Sequence, residues 1–119
     1  MIYELSLVAK PDANDQDLAA LKKIVHDVVA DHEGEILIED DWGSIVFAQP
    51  TRDGVPHGRF IYFIFKANSE NNKELIRRMK INETHMRHMF VLLGEESERE
   101  TIVKAYKTPF SKTYKGSLT

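Results

Sequence analysis

Six consecutive residues, Phe60-Ile61-Tyr62-Phe63-Ile64-Phe65, carry no charged side chain. Successive side chains of a strand point to opposite faces, so Phe60, Tyr62 and Ile64 share one side and Ile61, Phe63 and Phe65 the other. A strand with one wet face would alternate apolar and polar; this one does not. It puts an apolar row on whichever sheet face the helices leave open. His85–Leu93 behaves similarly, with Phe90 and Leu92 opposite Met89, Val91 and Leu93.

The other segments supply the rest of the sheet and one cover. Ile2–Ala9 reads as a strand and Pro11 ends it, with Asn14 or Asp15 as helix N-cap. From Asp15 to about His32, Leu18, Leu21, Ile24, Val25, Val28 and Val29 recur at helical spacing, and Gly34 stops the helix. Glu35–Asp40 opens a second strand that bends at Trp42-Gly43 and continues through Phe47, since a glycine within a strand pattern marks a bulge. Pro50–Gly58 is dense in turn residues and reads as a hairpin loop. Ser69 can cap a second helix through Leu75, Ile76 and Met79, broken at Asn82-Glu83-Thr84. The order β-α-β-β-α-β predicts an α+β, ferredoxin-like split sandwich: a four-stranded antiparallel sheet with two helices on one face. One domain spans 1–94, and 95–119 is a basic C-terminal extension without a core of its own, expected to order only on assembly. The helices would leave one sheet face as an apolar patch, which reads as a protein interface; the alternative is that the extension folds back over it.

Composition narrows the function. The 119 residues contain no cysteine, excluding disulfides and thiolate chemistry. No apolar run has the length of a membrane span, and no signal peptide is visible at Met1, so an intracellular, aqueous setting is expected. The net charge of −3 is uneven: residues 101–119 hold four lysines and no acid, against 12 basic and 19 acidic residues before them. A second basic stretch runs from Lys73 through Arg77, Arg78 and Lys80 to Arg87, while acids cluster at Glu39-Asp40-Asp41. Segregated charge of this kind suggests a defined polyanion contact on an acidic body, with the acidic cluster facing a basic partner.

No catalytic constellation is visible. Gly-rich phosphate loops, a G-x-S-x-G elbow and an H-E-x-x-H pair are missing from the sequence. His85 and His88 are three apart, a spacing that points them to opposite faces of a regular strand, so no metal site and no cofactor is expected. An acylphosphatase-like enzyme would need an arginine in the loop after the first strand, which reads Lys10-Pro11-Asp12-Ala13-Asn14.

Several pieces, taken in order, resemble the ribosomal protein S6 family of the bacterial-type small ribosomal subunit over about residues 1–93. They are Tyr3-Glu4, Glu39-Asp40-Asp41-Trp42-Gly43, Ala48 and Pro50, Gly58, Glu74-Leu75-Ile76-Arg77-Arg78-Met79-Lys80-Ile81-Asn82-Glu83, and Met86-Arg87. The resemblance implies a non-enzymatic structural protein that pairs with the small basic ribosomal protein S18 and binds the central domain of small-subunit rRNA. It implies phosphate or rRNA contact by Arg77, Arg78, Lys80, Arg87 and Tyr3. Partner packing would fall to Trp42, Phe47, Tyr62 and Phe90, and the tail could meet other small-subunit proteins. The ribosome would be that of a bacterial cytoplasm or of a mitochondrial matrix. The competing reading is a ferredoxin-like, small-molecule-binding regulatory domain that homodimerises through its open sheet face.

Overall fold

In the computed structural model, which describes residues 1–46 and 57–106, the chain folds as β1 (Ile2–Ala9), α1 (Asp15–Asp31), β2 (Glu35–Val46), β3 (His57–Lys66), α2 (Ser69–Lys80) and β4 (His85–Gly94). A short 3-10 turn (Glu96–Glu98) and a third helix, α3 (Arg99–Ala105), complete the described chain. The strands form one sheet in the order β2-β3-β1-β4, with every neighbouring pair antiparallel. This is the ferredoxin-like split sandwich that the periodicities predict, with β1 and the doubly apolar β3 at its centre.

Local chemistry sets the helix borders. At α1 the Asn14 side chain accepts from the Asp17 amide at 2.8 Å while the Asp17 carboxylate accepts from the Asn14 amide at 3.2 Å. This reciprocal box satisfies two of the donors a helix start leaves bare. Asn68, rather than Ser69, caps α2, its Oδ1 accepting from the Asn71 amide at 2.8 Å. Glu33, not the neighbouring glycine, is the left-handed residue that ends α1, at φ 58°. Gly34 serves a different need: a Cβ there would lie 2.4 Å from the carbonyl oxygen of Lys66. The helix exit is pressed against the end of β3, and no side chain fits between them.

The helix side of the sheet holds the main core. Leu5, Leu7, Ile61, Phe63 and Phe65 lie beneath Leu18, Leu21, Val25, Val28 and Val29 of α1 and Leu75 and Met79 of α2, all buried. The opposite face is not left open along its whole length. Ile2, Tyr62 and Ile64 are buried there under Leu37, Ile38, Trp42, Leu93, Ile102 and Tyr106. For residues 96–106 this corrects the expectation of a coreless extension: the chain folds back, and Ile102 and Tyr106 complete a second, smaller core. Charge and low hydrophobicity dominate this segment, yet two apolar residues four apart suffice for a one-sided helix turn. Phe47, nearly all of the expected hairpin loop and the lysines at 107, 112 and 115 lie outside the described residues.

Replacing Gly34 by alanine is expected to destabilise the fold by about 1–3 kcal/mol, the usual cost of forcing a methyl into a filled space. A lowered urea midpoint with unchanged slope would register it; an unaltered midpoint would mean that the Lys66 carbonyl yields freely.

Candidate interfaces

Two surfaces emerge from the placement of side chains around the sheet. The first is the face opposite α1 and α2. Here β2 departs from regular pairing: Asp41 sits opposite Ile61 and Gly43 opposite Phe60, leaving Trp42 as an extra residue between them. Gly43 takes φ 78° at this bulge, and its amide donates to Asp41 Oδ1 at 2.9 Å. A bulge bends the strand and re-aims a side chain. The indole is thereby laid on the sheet, stacked with Phe60 at 6.2 Å and 10° and tilted against Tyr62 at 4.8 Å.

The C-terminal strap closes over this aromatic group. Arg99 forks onto Glu35 of β2, with Nη contacts of 3.1 and 2.8 Å, and also lies 2.8 Å from Glu96. The Arg99 guanidinium holds the Glu35 carboxyl below its ordinary range. Seven residues on, Trp42 Nε1 donates to Tyr106 Oη at 3.1 Å, and Tyr106 donates onward to Asp40 Oδ2 at 2.5 Å. The Tyr106 ring lies 5.0 Å from that of Tyr62, whose hydroxyl donates to Glu4 at 2.5 Å. Burial, reinforced by the Glu4 carboxylate, pushes the Tyr62 phenol well above its usual range, so it stays a donor.

The same geometry revises the role expected of the acidic run. Strand alternation splits Glu39-Asp40-Asp41 between the two faces. Glu39 meets His26 of α1, Asp41 lies 3.5 Å from Lys22 of α1, and Asp40 is taken by Tyr106. These acids answer partners within the chain rather than forming one solvated patch.

Beyond the strap, the described residues of this face form a groove. Ser6, Val8, Phe60, Arg87, His88 and Met89 line this groove of about 320 Å³. Met89 is 59% exposed and Val91 38%. Of the residues expected to contact a partner, Trp42 and Tyr62 lie on this face beneath Tyr106. Phe90 lies on the other: it packs on the helix-side core, edge-on to Phe65 at 6.2 Å. Val8, Phe60 and Met89, which sequence reasoning did not single out as contacts, supply the apolar lining of the groove, Met89 being its exposed member and Val8 buried at its floor. Their signal was the doubly apolar character of β3 and β4.

The second surface is the basic end of α2. Glu74 grips two arginines: Arg77 through 2.7 and 3.0 Å contacts and Arg78 through one of 2.9 Å. Arg78 also lies 3.9 Å from Asp31. Hydrogen bonds first from Arg77 and then from Arg78 hold the Glu74 carboxyl at about 2. Lys80 is exposed at the helix end, near enough to His85 and His88 for its charge to lower both their pKa values. Arg87 is exposed on β4, on the side facing the groove. Tyr3 stands apart at the other end of β1, its ring 6.1 Å from that of Phe65 and its hydroxyl on the Met1 sulfur at 3.5 Å. Arg77, Arg78 and Lys80 thus share the end of α2, whereas Arg87 lies on the groove side of the sheet and Tyr3 at the other end of β1. Among the described residues no group of three His, Cys, Asp or Glu could hold a metal ion.

Comparison with known proteins gives this geometry its context. The family model described as Ribosomal protein S6 matches residues 2–92. A small ribosomal subunit protein bS6 of Clostridioides difficile is 37% identical over 90 residues, covering 76% of this chain and 96% of the relative. The corresponding protein of Trichlorobacter lovleyi is 30% identical over 112 residues, covering 90% and 91% of the two chains. Among solved structures, 30S ribosomal protein S6 of Thermotoga maritima superposes with a TM-score of 0.72 at 17% identity, covering 87% of this chain and 96% of that one. At that identity the superposition speaks for the fold alone.

The contacts carry two expected outcomes. Tyr106→Phe removes the oxygen between Trp42 and Asp40, leaving a half-buried donor and a carboxylate without it; the expected cost is about 1–2 kcal/mol. Trp42 is the single tryptophan, so its emission should move to the red in this variant; an emission band identical to the parent's would show that Tyr106 does not hold the indole. Glu74 is lowered in the folded state, so its ion pairs stabilise the fold above the unfolded carboxyl value of about 4.3, and this contribution disappears as pH falls toward 2. Melting temperatures measured between about pH 5 and about pH 2 should therefore fall less steeply for Glu74→Gln than for the parent. Superimposable profiles would rule the clamp out as a source of acid sensitivity.

Proposed function

The chain belongs to the ribosomal protein S6 family, and we propose that it is a non-catalytic component of the small ribosomal subunit. In this reading it binds the central domain of small-subunit rRNA together with ribosomal protein S18. The observation that carries the reading is the family match over residues 2–92, which takes in β1, α1, β2, β3, α2 and all but the last two residues of β4. The relatives from Clostridioides difficile and Trichlorobacter lovleyi are bacterial proteins, which favours a bacterial ribosome over a mitochondrial one.

The two surfaces divide the work. Lys80 and Arg87 meet phosphates, and Arg77 and Arg78 join them by exchanging the Glu74 carboxylate for phosphate oxygens, a bidentate geometry that guanidinium fits well. Tyr3 provides a separate contact at the far end of β1. The partner protein packs on the part of the sheet beyond the strap, in the groove of Val8, Phe60 and Met89 beside Arg87. Trp42 and Tyr62 come within its reach where Tyr106 yields, Phe47 joins them in this reading, and Phe90 acts from beneath as support. The tail beyond 106 is left for other small-subunit proteins or rRNA. An acidic chain of net charge −3 gains little from non-specific attraction to RNA, so a basic partner supplies the remaining field.

The test is a titration of a central-domain rRNA fragment with this protein, with S18, and with both. Tight, salt-dependent binding should need both proteins, and Lys80→Gln should lower the slope of log affinity against log salt by about one. Equal, tight and salt-insensitive binding by this chain alone would overturn the pairing. A homodimer indifferent to RNA would favour the small-molecule regulatory domain instead.

A further inference from the structure

We propose that His85 and His88 form a two-imidazole chelate for a divalent transition ion of the borderline class that Zn²⁺ and Ni²⁺ represent. On a regular strand these residues would diverge, because a spacing of three reverses the face. The pairing of β4 with β1 is not regular there: Leu7 lies opposite His88, Val8 opposite Arg87, and Ala9 opposite His85, so Met86 is an extra residue. The bulge turns His85 back to the side of His88. The rings are 5.1 Å apart at 39°, and His85 Nε2 lies 3.0 Å from His88 Nδ1.

That separation is the one a metal demands. Two imidazole nitrogens each about 2.0–2.1 Å from one ion stand about 2.9 Å apart at a right angle and about 3.3 Å apart in a tetrahedron. The pair is held in place from both sides. The His85 amide donates to the Asn82 carbonyl at 3.2 Å, the Lys10 amide ties down the Thr84 carbonyl at 3.0 Å, and the Phe90 ring stands edge-on to His88 at 5.8 Å. Burial lowers both imidazole pKa values, helped at His85 by His88 and at both by Lys80. Neutral imidazole is the ligand form.

In the metal-free pair one facing nitrogen donates its proton to the other. Binding requires that the donor ring carry its proton on its other nitrogen, a tautomer change with no net loss of protons, and that both rings tilt so that their lone pairs converge on the ion. The ion then accepts a lone pair from each ring. Among the described residues no third His, Cys or carboxylate completes the set, so water fills the remaining positions and the ion is exchangeable. Lys80 opposes a cation at this place, which gives the site a signature of its own: removing that charge tightens it.

The test is a titration of the full chain, stripped with chelator, against Zn²⁺ and separately Ni²⁺, with calorimetry and imidazole NMR as readouts. One ion per chain is expected, with Zn²⁺ shifting and Ni²⁺ broadening the His85 and His88 resonances ahead of those of His26 and His32. His85→Gln and His88→Gln should each weaken binding by about tenfold or more, since each leaves a single protein ligand. Lys80→Gln should strengthen it several-fold and His26→Gln leave it unchanged. Binding that survives the double replacement His85→Gln/His88→Gln, or resonances of the unaltered chain that do not respond, would overturn the proposal. The second readout needs no variant to fold.

Discussion

The burial of β3 on both faces governs what the rest of the chain does. Phe63 and Phe65 on one side and Tyr62 and Ile64 on the other are almost wholly removed from solvent. Fully burying a large apolar side chain is favourable by roughly 1.5–3 kcal/mol. Leaving Ile2, Tyr62 and Ile64 wet would thus forfeit several kcal/mol in a domain whose whole stability is about 5–15 kcal/mol. Two helices cannot cover both faces of a sheet at once. The second cover has to come from elsewhere in the chain, and residues 96–106 supply it. The dependence runs both ways: α3 spans seven residues, too few for an isolated helix in water, where lengths below roughly 12–15 residues are marginal. Its stability is borrowed from Ile102 and Tyr106 on the sheet and from the Arg99 fork on Glu35.

Irregular pairing, rather than regular structure, places the side chains of interest. Three of the four register shifts act at positions with chemistry attached. The slip at Trp42 delivers an indole to the sheet face, the slip at Met86 brings two imidazoles together, and the slip at Leu37 lets Leu37 and Ile38 both reach the second core. A bulge adds one residue to one strand and so inverts the facing of the residues beyond it. Around it, any argument from simple alternation gives the wrong face.

This explains what could be read from the sequence and what could not. The element order, the central place of β3 and the amphipathic α1 were legible because each rests on a period: two for strands, 3.6 for helices. The Trp42 bulge was legible as well, since Gly43 marks it. The Met86 bulge carries no glycine or proline, and so alternation assigns His85 and His88 to opposite faces. The strap stood only as an alternative because its core contribution is two side chains in a charged segment, and their partners on β2 and β3 are roughly 40 or more residues away in sequence. The facing of Phe90 was legible in principle but needed the register with Leu5, which only the assembled sheet provides.

Charge shows the same contrast between composition and placement. Counted along the chain, the acids at 39–41 and the bases at 77–80 look like two opposed patches waiting for outside partners. In the fold most of these groups already have partners: Glu39 with His26, Asp41 with Lys22, Asp40 with Tyr106, and Arg77 and Arg78 with Glu74. A polyanion approaching α2 therefore does not meet two bare guanidinium groups. It has to displace a carboxylate already bound to both, so the contact is an exchange of one anion for another rather than a simple addition. At exposed sites such pairs are weak, with a median worth of about 0–1 kcal/mol, and a phosphate with full negative charge can compete. On the proposed reading the Glu74 clamp would contribute selectivity: a single weak anion would gain little from the exchange, whereas a backbone offering successive phosphates to Lys80 and to the two arginines would gain at each contact. The carboxylate that such a polyanion would have to displace is placed by the fold and is invisible in the net charge.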